Sequence, residues 1–354
     1  MRFPLFLLAA LAALPAVAAP LRVPDLPQPV TNNAVAAVVR DGRWEVFSFL
    51  GLGAGKTWRD TTNQAWAWHE GDAAWQELPA VPVPVGRLAA TACAVAGKVF
   101  LFGGYTVDEQ GAEVSTPEVF RFDPAGRTYT ACAPMPLPVD DTVSAVYQDR
   151  YIFLVSGWHK TRNTTAVQIY DTQNDSWERG TEYPGTPVFG QAGGLSGATL
   201  VVWGGVRVLR APLNGMKYAP SAECWLGEID SEDCTRINWR AVAPPANARP
   251  LYRAAATGVS AGGGLIVFAG GTARPYNYNG VGYDRQPSEA VAEVFVYDVA
   301  RGDWREGTAP MDIATMDHRG LLEYKGDCYI VGGLDAQQAV TARVTTFPLP
   351  ETKK

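Results

Sequence analysis

The chain has 354 residues, 47% hydrophobic and 19% charged, with 36 acidic against 30 basic side chains and a net charge of −6. That balance supplies a packed core, and with no basic stripe or block of like charge it gives no footing for nucleic-acid binding or for attachment to anionic lipid. There is no Cys-x-x-Cys, no cysteine–histidine pair at zinc spacing and only 3 histidines, so neither a metal set nor a cofactor is expected.

In chain order, Met1-Arg2, the apolar Phe3 to Leu14 and the small-residue exit Ala16-Val17-Ala18 read as a secretory signal peptide, residues 1–18. It is too short to span a bilayer, and no later apolar run is long enough, so residues 19–354 are expected as one soluble domain in a periplasm or outside the cell. From there one phrase recurs: Phe49-Leu50-Gly51, Leu101-Phe102-Gly103-Gly104, Leu154-Val155-Ser156-Gly157, Val202-Trp203-Gly204-Gly205, Phe268-Ala269-Gly270-Gly271 and Ile330-Val331-Gly332-Gly333. Short apolar runs are strands buried on both faces, and the glycines let the chain turn where other residues are strained. A repeat at roughly fifty to sixty-five residues points to a propeller or solenoid.

Each period also holds an aromatic strand, a strand bearing Trp or Tyr, and a proline-rich crossover. Val119-Phe120-Arg121-Phe122-Asp123 with Tyr129 and Pro134-Met135-Pro136 is one copy, and Val294-Phe295-Val296-Tyr297-Asp298 with Trp304 and Pro310-Met311 is another. That makes four antiparallel strands per unit, one propeller blade. The last unit lacks its ending, and Leu21 to Val30 reads like Trp75 to Pro84, so the N-terminal segment is expected to supply the last blade's outer strand and close the ring. Cys224 and Cys234 flank one predicted hairpin and are the best candidates for a disulfide, whereas Cys93 and Cys328 read as buried thiols.

With a Gly-Gly pair, a later Tyr-Asp and a following Trp, these units resemble the kelch repeat. The resemblance covers nearly the whole mature chain and implies an all-β, six-bladed propeller. In up-and-down blades the loop after Gly-Gly and the crossover into the next blade emerge on one face, so their residues should converge at one mouth of the channel. Arg87, Arg253, Arg319, Arg207, Arg210, Trp158, His159, Tyr278 and Tyr283 are the candidate ligand-binding residues there. Guanidinium forks bind carboxylates and aromatic faces stack on sugar rings, so the set suits a sugar, particularly an anionic one. Asp140 or Asp141 with His318 form the candidate acid/base set. Each also has a plainer role: arginines packing between blades, aspartates capping a turn, histidines as ordinary loop residues.

Gly51 to Trp58, the Arg87-to-Gly103 spacing and the long Tyr/Asn/Gly loop after Gly271 resemble the bacterial N-acetylneuraminate epimerases, also called sialic acid mutarotases. That resemblance implies a periplasmic propeller acting on free sialic acid, with a glutamate and an arginine as its key pair. Gly205 and Ala211 stand at those two positions, with Arg210 one residue off, so the pair itself is absent. A glycan- or protein-binding propeller without catalysis is the alternative. A copper radical oxidase, also kelch-like, lacks its histidine ligands here.

Overall fold

A computed structural model describes residues 20–211, 215–260 and 264–349. The leader assigned to residues 1–18 lies outside them. Five four-stranded antiparallel sheets and one three-stranded sheet follow one another along the chain, with no α-helix among the described residues and one 3-10 turn, Trp58–Asp60. Blade one is Ala34–Arg40, Arg43–Leu52, Thr61–His69 and Gln76–Leu78; blade six is Leu322–Tyr324, Asp327–Val331 and Val344–Pro348. The fold is a six-bladed, all-β propeller.

The recurring phrase is the second strand of each blade, buried on both faces as its unbroken apolar run requires: Leu265–Ala269 has all five residues buried. The two residues that end it are left-handed in every blade. The first is Leu50 or Ser156 in blades one and three and glycine elsewhere, but the second is always glycine, at φ between 83° and 112°.

The core is divided among the blade interfaces. Phe47 and Phe49 of blade one meet Phe122 of blade two edge-on, at 5.7 and 5.5 Å between ring centroids. Trp203 of blade four is packed among Phe268, Phe295 and Trp304 of blade five. The innermost strands carry small residues such as Ala92, Ala94, Ser144, Gly193, Gly194 and Gly258, and they surround a central channel of about 390 Å³.

Ring closure differs in detail from the sequence reading. The segment around Leu21 to Val30 lies against blade six but is not a regular strand. Leu26 N donates to Ala342 O at 2.8 Å and Val30 N to Thr341 O at 3.3 Å. Pro24, Pro27 and Pro29 have no N–H to complete a ladder. Side chains do the joining instead: Val23, Leu26 and Val30 are buried with Trp44 of blade one and Tyr329 and Val331 of blade six. Trp75 Nε1 also donates to Pro24 O at 2.7 Å.

The candidate Cys224–Cys234 disulfide is absent, and all five cysteines are free thiols. Cys224 begins the strand Cys224–Ile229 while Cys234 lies in the turn beyond its far end, so a strand's length separates them. Cys93 and Cys328 are buried, and burial raises both thiol pKa values, to about 11 and about 12.

Candidate functional site

The crossover entering each blade pairs with that blade's own loop after the second strand, at one isolated bridge. These are Thr31 with Leu52, Leu88 with Tyr105, Asp140 with Trp158, Phe189 with Val206, Tyr252 with Thr272 and Met316 with Leu334. The two loop sets therefore share one face, as strand order requires. The next crossover residue is left-handed in every blade: Asn32, Ala89, Asp141, Gly190, Arg253 and Asp317, with φ between 51° and 74°.

Around this neck each blade donates a backbone hydrogen bond to the blade before it. Asn32 N reaches Asp317 O, Asp141 N reaches Ala89 O, Gly190 N reaches Asp141 O, Arg253 N reaches Gly190 O and His318 N reaches Arg253 O. In blade two the acceptor is a side chain, Asn32 Oδ1, 2.6 Å from Ala89 N.

The side chains inside this ring plug the channel. Arg253 donates to both oxygens of Asp141, at 3.2 and 2.6 Å, and to Asp317 Oδ1 at 3.1 Å. Arg319 lies 2.6 Å from Asp141 Oδ1 and donates to Asn32 Oδ1 at 3.0 Å. Asp317 also accepts from Thr31 and Asn32 at 2.7 and 2.9 Å. Two guanidinium groups thus face two carboxylates in a buried, charge-neutral network. Burial opposes ionisation of Asp141, but Arg253 and Arg319 outweigh it and hold its carboxyl below the usual range.

Above the plug, on the crossover face, is a cavity of about 30 Å³, lined by Tyr105, Glu113, Asp140, Asp141, Trp158, Phe189, Tyr218, Arg253, Asn277 and Tyr283. Three hairpins and one long loop build it. Tyr105–Val107 with Glu113–Ser115 supplies Tyr105 and Glu113; Trp158–His159 with Arg162–Asn163 supplies Trp158; Val206–Ala211 with Gly215–Pro220 supplies Tyr218. The loop after Gly271 arches over the mouth, its Asn277 carbonyl accepting from Arg253 and its Tyr276 carbonyl from Tyr252 Oη. Tyr283 from this loop stacks on Tyr218, 3.9 Å between centroids and 18° between planes.

The polar groups of the cavity are unusually placed. Asp140 is buried and accepts from Ser115 Oγ at 2.6 Å; burial, then the neighbouring Asp141, push its pKa well up. Burial likewise raises Glu113, whose carboxyl meets the Asn277 side chain while its Oε1 has no hydrogen-bond partner. The buried Tyr105 hydroxyl also has none. The cavity thus combines two carboxyls whose pKa values burial raises, a phenol without a hydrogen-bond partner and four further aromatic side chains.

Of the candidate residues, Asp140, Asp141, Trp158, Arg253 and Tyr283 line this cavity. The others are elsewhere. Arg87 is buried against Glu118, 3.0 Å away, and the Gly103 carbonyl at 3.3 Å. Tyr278 packs with Leu88, Tyr105 and Trp58 beside the cavity. His159 Nδ1 is 2.6 Å from Pro138 O, and Arg207 is exposed. The side chain of Arg210 lies outside the described residues. Arg319 and His318 line the channel on the far side of the plug, where His318 shares a 3.0 Å hydrogen bond with Thr315. Thus Arg87, Arg253, Arg319, Trp158 and Tyr278 do not converge on one pocket, and Asp140 and His318 do not face a common space. The cause is the set of aspartate and glutamate partners that occupies the arginines first.

Glu113 and Tyr218 were not among the sequence candidates. For Glu113 the signal was its hairpin, the turn Asp108-Glu109-Gln110-Gly111 between Tyr105-Thr106-Val107 and Glu113-Val114-Ser115, which pairs Glu113 with Val107 and so puts it on the strand-pair face that Tyr105 shares, whereas Tyr218 lies on the hairpin of Val206–Ala211 with Gly215–Pro220.

Among known proteins, a family profile for the Kelch motif matches residues 86–136. The chain carries a kelch motif on a six-bladed propeller. Kelch-like protein 15 of Gallus gallus is 30% identical over 151 residues, 42% of this chain and 30% of that protein. A putative F-box/kelch-repeat protein of Arabidopsis thaliana is 27% identical over 205 residues, 56% of this chain and 51% of that one. The chain thus spans about a third to a half of the length of these relatives. A solved structure described as the structure of YjhT superposes with a TM-score of 0.72, covering 94% of this chain and 98% of that one at 13% identity, a likeness of fold. No helix among the described residues is long and apolar enough to cross a membrane, and none of them form a cluster of three or more metal-ligating side chains.

Proposed function

We propose that the chain is a ligand-binding propeller whose site is the cavity at the crossover face, that its ligand is a carbohydrate, and that it is exported by the leader at residues 1–18. The observation that carries the site is the meeting, in one cavity, of Trp158, Phe189, Tyr218 and Tyr283 with Glu113, Asp140 and the unpartnered Tyr105 hydroxyl. Aromatic faces suit the C–H faces of a sugar ring, and carboxyls and a phenol suit its hydroxyls. An anionic sugar is the less supported member of the class, because the guanidinium groups of Arg87, Arg253 and Arg319 already have carboxylate partners. At about 30 Å³ the cavity has room for little more than a water or two, so a whole sugar ring fits only if its lining moves.

Should the site turn a sugar over, as the mutarotase resemblance suggests, Glu113 and Asp140 replace the Asp140–His318 set as the acid and base, since they share the cavity. The test is ligand-observed NMR with a panel of neutral, amino and acidic monosaccharides. Saturable binding of a monosaccharide that weakens at least tenfold in Trp158→Ala supports the site; no binding by any member, or binding indifferent to Trp158→Ala, removes it.

A protein partner is the second reading, favoured by the exposed apolar Val114, Leu209 and Val281 on the same loops as the cavity lining. Crosslinking that maps to these three side chains, with no sugar bound, would select it.

A further inference from the structure

We propose that the ligand of the crossover-face cavity carries a primary ammonium group, held by Glu113, Asp140 and Tyr105. This rests on the reading of the cavity as the ligand site and adds its charge.

The argument begins with charge. Asp141 and Asp317 neutralise Arg253 and Arg319 within the plug. Among the described residues, Arg253 is the only basic side chain lining the cavity, and no ion pair joins Glu113 or Asp140 to a cation. The groups facing these two carboxyls are Asp141, Arg253 and each other, with the phenols of Tyr218, Tyr278 and Tyr283 around Glu113. When both carboxyls ionise, the cavity carries two uncompensated negative charges. A bound ammonium offsets one of them, so the site is neutral when the other carboxyl keeps its proton, whereas a bound anion meets only repulsion.

Size and donor count narrow the cation. A space of about 30 Å³ admits an ammonium head, which is close to a water in size, better than a planar guanidinium. An ammonium has three donors and no acceptor. Three acceptors face it: Glu113 Oε1 and the Tyr105 oxygen, both buried and without partners, and the Asp140 carboxyl, which Ser115 only partly satisfies. Trp158, Phe189, Tyr218 and Tyr283 line the same space, and aromatic rings attract cations. Burial raises the pKa of both carboxyls, since protonation is how such a pair avoids unpaired charge.

The probes are methylammonium, glucosamine, glucose and N-acetylglucosamine, titrated by NMR against the full chain, methylammonium at pH 5 and pH 8. Methylammonium, charged at both pH values, should bind more tightly at pH 8, because at pH 5 it must displace a proton from the carboxyl pair; glucosamine, whose own amine begins to lose its proton at pH 8, is compared with glucose at about pH 7. Glu113→Gln and Asp140→Asn should each weaken methylammonium and glucosamine about tenfold, with glucose and N-acetylglucosamine at least tenfold weaker than glucosamine. Both variants are close in shape to the wild type, and unchanged melting temperatures confirm that they fold. Equal binding of glucose and glucosamine with none of methylammonium overturns the ammonium inference and leaves the carbohydrate site standing. Methylammonium binding that survives both variants overturns it too, and failure of every probe removes both readings.

Discussion

His318 shows how burial alone can set a residue's chemistry. Desolvation lowers its pKa from 6.5 to about 4, Asp317 opposing and Arg319 adding to the effect, so the imidazole is neutral across the physiological range. The sign follows from linkage: the unfolded chain takes up a proton near pH 6.5 that the folded chain refuses until about pH 4. Stability is therefore complete above pH 6.5 and declines as pH falls toward 4, by roughly 3 kcal/mol if the site responds alone. Urea unfolding of the wild type and His318→Asn across this range checks it. The variant should show the shallower decline, and parallel curves would mean that His318 is hydrated in the folded protein.

The glycine that ends each second strand turns the chain and also lets the neighbouring crossover approach it. Gly205 has φ +84°, and a Cβ there would stand 2.8 Å from Gln191 Cβ and 2.9 Å from Gln191 N. Gly302 is also left-handed, at φ +69°, but has nothing within 4 Å. Gly302→Ala should therefore cost about 1 kcal/mol of unfolding free energy and Gly205→Ala roughly 2 kcal/mol more, the excess measuring the close approach. Equal losses in urea titrations would show that the neck yields freely. The same packing explains why the resembled family's glutamate cannot simply be placed at Gly205 in this chain. At this scale the sequence was legible wherever a local rule decides the outcome. The apolar runs ending in glycine marked every second strand, and strand order put crossovers and loops on one face. The site was less legible because it depends on partners across the ring. Nothing near Arg253 in sequence announces Asp141, more than a hundred residues away, and the likeness of the N-terminal segment to Trp75 to Pro84 outweighed its prolines, which mark the departure from a true strand.

For the whole molecule, the decisive join is where the two ends of the chain meet. Leu26 is 4% exposed, packed between blades six and one in the irregular segment that replaces a regular outer strand. If that segment closes the ring, Leu26→Ala should cost about 2–4 kcal/mol, as in an ordinary core position, measured by chemical denaturation. A loss below about 0.5 kcal/mol, the scale of a surface substitution, would mark it as a loosely attached tail. The hydrogen bonds at the neck add a further property. Each blade donates to the one before it, and because the sixth is followed by the first, the donors circulate in one sense with no first or last member. A linear stack of repeats has two terminal units, where fraying starts and where special caps are needed. Here every blade has the status of an interior unit. Loosening any one severs a bond on each of its sides, so within the neck disorder has no preferred place to begin.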